Sequence, residues 1–163
     1  MKTLLIVYHS MTGGTQQMAH AAAGGARSEE GVRVVLLRAA EAQGQDVLSG
    51  DGYIFATPEN LAGISGMMKD FFDRTYYTAF EKINGRPFLS LVCAGSDGRN
   101  AAQQIDRIAS GWRLKAIAAP HIVCTNAQTP EQILRPKQID QGNLMRCEEL
   151  GKTIAGGMAM GIF

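Results

Sequence analysis

The chain has 163 residues, enough for one folded domain, and its 16 basic and 15 acidic residues leave a formal net charge of +1. A charge this close to neutral gives no electrostatic reason to expect nucleic acid or an anionic membrane as a partner. No apolar run approaches the roughly 20 residues of a membrane-spanning helix, and the apolar start is too short for a signal peptide. We therefore expect a cytoplasmic protein with a single domain over residues 1–163. The three cysteines are widely spaced and form no CxxC pair, so neither a disulfide nor a metal site is predicted.

Segments typical of strands and of helices alternate along the chain. Short apolar runs predict strands at residues 4–8, 32–37, 52–57, 88–94 and 116–123. Helical patterns predict helices at residues 15–26, 65–75, 100–110 and 140–156, with a weak, short candidate at 43–48. This alternation predicts an α/β fold, a doubly wound sheet of five parallel strands covered by helices on both faces. Ligands of such sheets bind beyond the carboxyl ends of the strands.

The turn after the first strand has the composition of a phosphate-binding loop. It reads Ser10-Met11-Thr12-Gly13-Gly14-Thr15 and leads directly into the first predicted helix, whose free N–H groups point beyond the strand end. The glycines permit close approach of a ligand, and the hydroxyl groups offer hydrogen bonds. No Lys or Arg occurs from His9 to His20, so a phosphate would be held by neutral donors, unlike in a Walker A loop. The alternative interpretation is that Thr12 or Thr15 only caps the helix.

Two further loops are expected at the same edge of the sheet. Pro58 is expected to end the third strand, and Gly63 and Gly66 let the loop after it fold closely. The fourth strand ends in Ala94-Gly95-Ser96-Asp97-Gly98, where small residues leave the backbone amides accessible. Three loops converging on one rim suit a ligand with a phosphate at one end and a flat, hydrogen-bonding ring at the other.

These motifs resemble those of the flavodoxin-like superfamily. The first loop fits the S/T-x-T-G-x-T sequence that cradles the phosphate of FMN in that superfamily. The stretch from Thr57 to Asp73, which includes Met67-Met68-Lys69-Asp70-Phe71, is similar to the P-x-y…G…MKxFxD segment of NAD(P)H-dependent FMN reductases and flavodoxin-like quinone reductases. The resemblance spans essentially the whole chain and implies strand order 2-1-3-4-5.

The resemblance implies FMN as the cofactor, with the first loop on its phosphate, the second flanking the isoalloxazine ring and the third at the pyrimidine edge. The implied contacts are Ser10, Met11, Thr12, Gly13, Gly14, Thr15, Thr57, Pro58, Glu59, Asn60, Leu61, Ala62, Gly63, Ile64, Ala94, Gly95, Ser96, Asp97 and Gly98. No catalytic side chain is implied, because the chemistry belongs mainly to the flavin.

Two departures from electron-carrier flavodoxins favour an enzyme. Those carriers usually place a Trp and a Tyr against the flavin, whereas residues 58–65 and 94–99 contain no aromatic residue. The carriers also tend to be strongly acidic, whereas this chain is nearly neutral. We therefore predict an NAD(P)H-dependent oxidoreductase that reduces a quinone, a free flavin or a similar small acceptor, with NAD(P)H as a transient co-substrate. A non-catalytic electron-transfer protein is the alternative, and a homodimer is compatible with either.

Two features stand outside this interpretation. Cys93 and Arg99 satisfy the C-x5-R spacing of cysteine phosphatases, although Asp97 would place a negative charge inside such a phosphate cradle. The connection at residues 125–139 contains two prolines and is unusually long, which is typical of a segment that covers a site or contacts another subunit.

Overall fold

A computed structural model describes the whole chain, residues 1–163, as alternating strands and helices. The elements are β1 (Lys2–Tyr8), α1 (Gly14–Arg27), β2 (Val32–Arg38), α2 (Gly44–Ser49), β3 (Gly52–Asn60), β4 (Gly63–Ile64), α3 (Gly66–Ala79), β5 (Pro87–Ala94), α4 (Arg99–Gly111), β6 (Lys115–Ala116), β7 (His121–Cys124), α5 (Pro130–Leu134) and α6 (Gln141–Ala159). None of the helices combines the length and the hydrophobicity needed to cross a bilayer.

The sheet is parallel apart from one short strand, and helices cover both of its faces. The strand order is β2-β1-β3-β5-β6, with β7 also paired to β5 and β4 paired to β3. α1 and α6 pack on one face, where they share a buried cluster with β1 and β5. α2, α3 and α4 pack on the other face around Phe55 and the fully buried Trp112. The predicted α/β architecture is therefore confirmed.

The predicted number of strands is wrong, because the sheet has seven strands. The fifth predicted strand, residues 116–123, is divided into β6 and β7, which pair with opposite ends of β5. Residues 118–120 leave the ladder between them, and Pro120 has no N–H group with which to continue it. The two short strands together occupy the fifth position, so the core order corresponds to the expected 2-1-3-4-5.

The remaining strand arises because the chain after β3 folds back as a hairpin. β3 does not end at Pro58 as predicted but continues to Asn60, and β4 pairs with it in antiparallel fashion. β1 accompanies β3 only as far as Ala56, so Pro58 lies beside an open edge of β3. A residue without an N–H group is tolerated at an open edge.

The four long predicted helices and the short candidate are all present, with boundaries shifted by up to four residues. Only α5 was not predicted, and it lies inside the long connection at residues 125–139. α5 therefore divides that connection into two shorter pieces.

α1 and α6 touch backbone to backbone at two glycines. A Cβ atom on Gly25 would overlap the Glu148 carbonyl group, and one on Gly151 would overlap the Ala22 carbonyl group. The N-terminal end of α1 reaches the loop after β1, so this contact fixes the axis of the helix that carries the loop.

Alanine at Gly25 is therefore expected to force the helices apart and to lower the free energy of unfolding by about 1–3 kcal/mol, the usual cost of overpacking a core. The neighbouring Gly24 is exposed and has open space around its Cα. Gly24→Ala should therefore raise the free energy of unfolding by about 0.5–1 kcal/mol, because alanine has the higher helix propensity. Equilibrium denaturation of the two variants makes the comparison. Equal stability of both would contradict the tight contact.

Candidate functional site

A cavity of about 520 Å³ opens at the carboxyl edge of the sheet, a size common for small-molecule and cofactor sites. It lies among the loops that follow β1, β3, β5 and β7. Its walls are formed by Ser10, Met11, Thr12, Gly14, Thr15, Pro58, Glu59, Asn60, Leu61, Ala62, Cys93, Ala94, Gly95, Ser96, Thr125, Ala127, Gln128, Ile133 and Lys137. The structure thus brings the three predicted loops together.

Several predicted contact residues lie behind this wall rather than on it. They are Gly13, Thr57, Gly63, Ile64, Asp97 and Gly98. Thr57 is buried beneath the second loop, where its hydroxyl accepts a hydrogen bond from the Ser65 N–H at 3.1 Å. Asp97 faces solvent and pairs with Arg99. A direct contact of these six residues with a ligand stays a prediction.

In the first loop a glycine, and not a threonine, occupies the cap position of α1. Gly13 adopts a φ of 91°, a left-handed conformation that favours glycine, and no side chain caps the helix. The Ser10 hydroxyl accepts the Gly13 N–H at 3.0 Å, inside the loop. The interpretation that Thr12 or Thr15 caps the helix is therefore wrong. The first turn of α1 presents its N–H groups to the cavity without a competing side-chain oxygen.

One buried polar group of the cavity wall, the Thr15 hydroxyl, lacks a hydrogen-bond partner within the protein. Thr15 is only 1% exposed, and its Oγ1 has no hydrogen-bond partner. A buried polar group left unpaired costs about 1–3 kcal/mol, so native structures nearly always give it a partner. Because Thr15 also lines the cavity at the helix N-terminus, a ligand oxygen in the cavity would supply that partner.

The second loop is the β3–β4 hairpin, and its tip is strained. Leu61 and Ala62 have φ values of 50° and 65°, which residues other than glycine rarely adopt. Three contacts hold the hairpin. The Asn100 side chain donates to the Ala62 carbonyl, the Gly98 N–H donates to a Glu59 carboxylate oxygen at 3.0 Å, and the Ile64 N–H donates to the Gln104 side-chain oxygen at 2.9 Å. The hairpin is thereby fixed to the third loop and to α4, with the Leu61 side chain fully exposed at the rim.

The phosphatase interpretation of Cys93 and Arg99 does not agree with the geometry. Cys93 is 8% exposed, and burial raises the pKa of its thiol to about 11, so the nucleophilic thiolate is scarce near neutral pH. The Arg99 side chain is 79% exposed and binds the Asp97 carboxylate at 2.7 Å, which lowers the pKa of that carboxyl. A loop of this kind holds neither a nucleophile nor a free guanidinium for an incoming phosphate.

Sequence reasoning missed the part of the wall that comes from the long connection. Thr125, Ala127, Gln128, Ile133 and Lys137 all line the cavity. The Thr125 and Asn126 N–H groups donate to the Ala94 and Gly95 carbonyls at 2.9 and 2.8 Å, so the connection begins as an extension of the third loop. The length and the two prolines of the connection indicated that it could cover a site, but no sequence signal picked out these five residues.

No aromatic residue lines the cavity. Most aromatic rings of the chain cluster instead around Phe55, Phe72 and Trp112 in the core beneath α3 and α4. The residues that the other loops add to the wall are not aromatic either. A flat ring bound here would have no Trp or Tyr stacked on it from this chain.

A parallel sheet of this order with a ligand cavity at its carboxyl edge defines the flavodoxin-like class of α/β proteins. The chain belongs to the NADPH-dependent FMN reductase family, whose model matches residues 36–129. The resemblance inferred from the motifs is thus confirmed.

Individual relatives agree with this assignment. The chain is 38% identical to a flavodoxin of Aquifex aeolicus over 60% of this chain and 53% of the relative. It is 36% identical to an NAD(P)H dehydrogenase (quinone) of Acidithiobacillus ferrooxidans over 46% of this chain and 48% of the relative. The chain therefore spans about half the length of these curated relatives. Among solved structures, a WrbA-like flavodoxin of Agrobacterium tumefaciens superposes with a TM-score of 0.76 at 20% identity, covering 99% of both chains.

Proposed function

We propose that the cavity binds FMN non-covalently and that the protein is an NAD(P)H-dependent oxidoreductase that reduces a quinone, a free flavin or a similar small acceptor. The observation that carries the cofactor assignment is the buried, unpaired Thr15 hydroxyl beside the uncapped N-terminus of α1. A phosphate monoester has oxygens for both the hydroxyl and the N–H groups, so it satisfies the polar groups that the fold leaves open.

The wall of the cavity fits the remaining parts of FMN. Residues 10–15 would hold the phosphate, while Pro58 through Ala62 and Ala94 through Ser96 would flank the ring. Bound FMN would accept a hydride from a nicotinamide and pass the electrons to the acceptor. The protein would bind and orient the cofactor and limit access of water, and no side chain is assigned as a catalytic acid or base. One FMN-binding domain over residues 1–163 stays part of the proposal.

The absence of aromatic residues from the wall favours a reductase over an electron carrier, because a nicotinamide must stack on an uncovered ring. The nearly neutral charge of +1 also offers no strongly acidic surface for a basic redox protein. The names of the relatives include both classes, a quinone dehydrogenase and a flavodoxin, so the electron carrier is the second candidate.

The connection at residues 125–139 forms part of the cavity wall. The five residues of the 125–139 connection in the cavity wall support its role in covering the site rather than in contacting another subunit. The homodimer and the cytoplasmic location stay predictions. Either NADH or NADPH would serve as the co-substrate in this proposal.

The test is retention of flavin after desalting. Protein mixed with excess FMN is expected to keep about one FMN per chain, and protein mixed with riboflavin is expected to lose most of it, because only FMN satisfies Thr15 and the helix N-terminus. Absorbance of the desalted samples gives both ratios. Equal retention of the two flavins, or of neither, would contradict the proposed cofactor site.

A further inference from the structure

The first loop provides no positively charged side chain to balance the charge of a bound phosphate. A phosphate monoester carries about −1.5 to −2 charges near neutral pH, yet residues 9–20 contain no Lys or Arg. Lys137 is the only basic residue that lines the cavity. It reaches the first loop from the far end of the 125–139 connection.

The backbone of Lys137 is held against the phosphate loop from both sides. Its N–H donates to the Thr12 carbonyl at 2.8 Å, and its carbonyl accepts a hydrogen bond from the Gln17 side chain at 2.8 Å. The same amide of Gln17 also donates to the Gly13 carbonyl at 2.9 Å and, through its oxygen, accepts the Ile139 N–H at 3.1 Å. Gln17 thus fastens the segment around Lys137 to the first turn of α1.

The side chain of Lys137 begins next to the first loop and forms no ion pair. Its Cβ lies 3.4 Å from where a Cβ on Gly14 would be. Its ammonium group donates to the Gln132 and Ile133 carbonyls at 2.8 Å each and to the Arg135 carbonyl at 2.5 Å, around the end of α5, and no carboxylate pairs with it. These three acceptors are neutral and take all three N–H donors of the ammonium group, so Lys137 would act on an anion in the cavity through its charge rather than through a hydrogen bond. The charge already acts on the cavity wall, since it opposes the burial that raises the pKa of the Cys93 thiol.

We propose that Lys137 is a specificity-determining cation of the phosphate site, a residue that adds to the preference of the cavity for a phosphorylated flavin over an unphosphorylated one. This inference rests on the proposed function. The hydroxyl and N–H groups of the first loop would give the phosphate its hydrogen bonds, and Lys137 would give it charge. Lys137 would thus add a cation to the neutral donors that the sequence of the first loop predicts.

The experiment compares FMN and riboflavin affinities of Lys137→Met, Lys137→Arg and wild type by flavin fluorescence titration at several salt concentrations. Lys137→Met is expected to weaken FMN about tenfold, the effect of one modest charged interaction, and to leave riboflavin within about twofold. Lys137→Arg should retain most of the FMN affinity. The FMN affinity of wild type should fall with added salt more steeply than that of Lys137→Met.

Lys82→Met is the matched control, because the Lys82 ammonium also donates to a helix carbonyl, that of Thr78, but does not line the cavity. It should change neither affinity. If Lys137→Met weakens both flavins equally, Lys137 only holds α5, and the inference is wrong. If Lys137→Met leaves the preference for FMN intact, the inference is wrong while the proposed function stands. If wild type binds neither flavin, or both equally, the proposed function itself fails and the inference falls with it.

Discussion

Valine in place of Thr15 is expected to weaken FMN binding about 10- to 100-fold, the range for loss of one hydrogen bond to a charged group. Valine has nearly the shape of threonine, so the variant removes the hydroxyl and little else. Riboflavin affinity should stay unchanged, because riboflavin lacks the phosphate that the hydroxyl would bind. Titration of both flavins followed by fluorescence measures the two affinities.

Thr15→Val is expected to weaken FMN binding but to stabilise the folded protein without ligand. Because the Thr15 hydroxyl is buried and unpaired, its removal should raise the free energy of unfolding by about 1 kcal/mol. Ser90→Ala is the matched control, since Ser90 is also a buried residue with an unpaired hydroxyl but lies in β5 and outside the cavity wall. Its FMN affinity should equal that of wild type. Equal loss of FMN and riboflavin in Thr15→Val would show a structural role for Thr15 instead.

The first loop could be predicted because all of its functional groups are contiguous in the sequence. Ser10 to Thr15 form one turn between one strand and one helix, and the motif predicts the turn. Its ligand stays a prediction. The state of the Thr15 hydroxyl could not be predicted, since threonine is itself a common helix cap. It depends on Gly13 taking the cap position with a left-handed φ.

Lys137 could not be assigned to the site from the sequence, because it lies 120 residues along the chain from Gln17, its hydrogen-bond partner. Only the return of the chain from β7 to α6 brings it to the loop. α5 did carry a local signal that was missed: Thr129 and Gln132 form a capping box with Pro130 at the first helical position.

The alternation of strands and helices could be predicted from the sequence because buried parallel strands are continuous apolar runs. The β3–β4 hairpin gave no such signal. Pro58 is normally a strand breaker, and the tip at Leu61 and Ala62 lacks the Asn-Gly or Asp-Gly pair typical of two-residue turns. The hairpin is held by contacts with Gly98 and Asn100, which belong to a later part of the chain.

The same hairpin tip would decide whether a second planar ring can reach FMN bound in the cavity. Leu61, Met11 and Ile133 are the large exposed hydrophobic side chains of the cavity rim, and none is aromatic. Hydride transfer requires the nicotinamide carbon to approach its acceptor to about 3–3.5 Å, the usual near-attack distance. A flexible aliphatic side chain at the rim leaves room for that approach, whereas a stacked Trp or Tyr would occupy it.

We therefore expect NADH or NADPH, mixed anaerobically with FMN-loaded protein, to abolish the visible flavin absorbance with a rate that saturates in nucleotide. A quinone added afterwards should restore the absorbance. Leu61→Trp would place an aromatic ring at the rim, so it should slow the nucleotide reaction at least about tenfold, one decade of rate per 1.4 kcal/mol, while dithionite still reduces the flavin. Leu61→Met, which keeps an aliphatic rim, is the control and should react like wild type. If neither nucleotide at millimolar concentration reduces wild-type protein that dithionite reduces readily, the reductase proposal is wrong and the electron-carrier candidate takes its place.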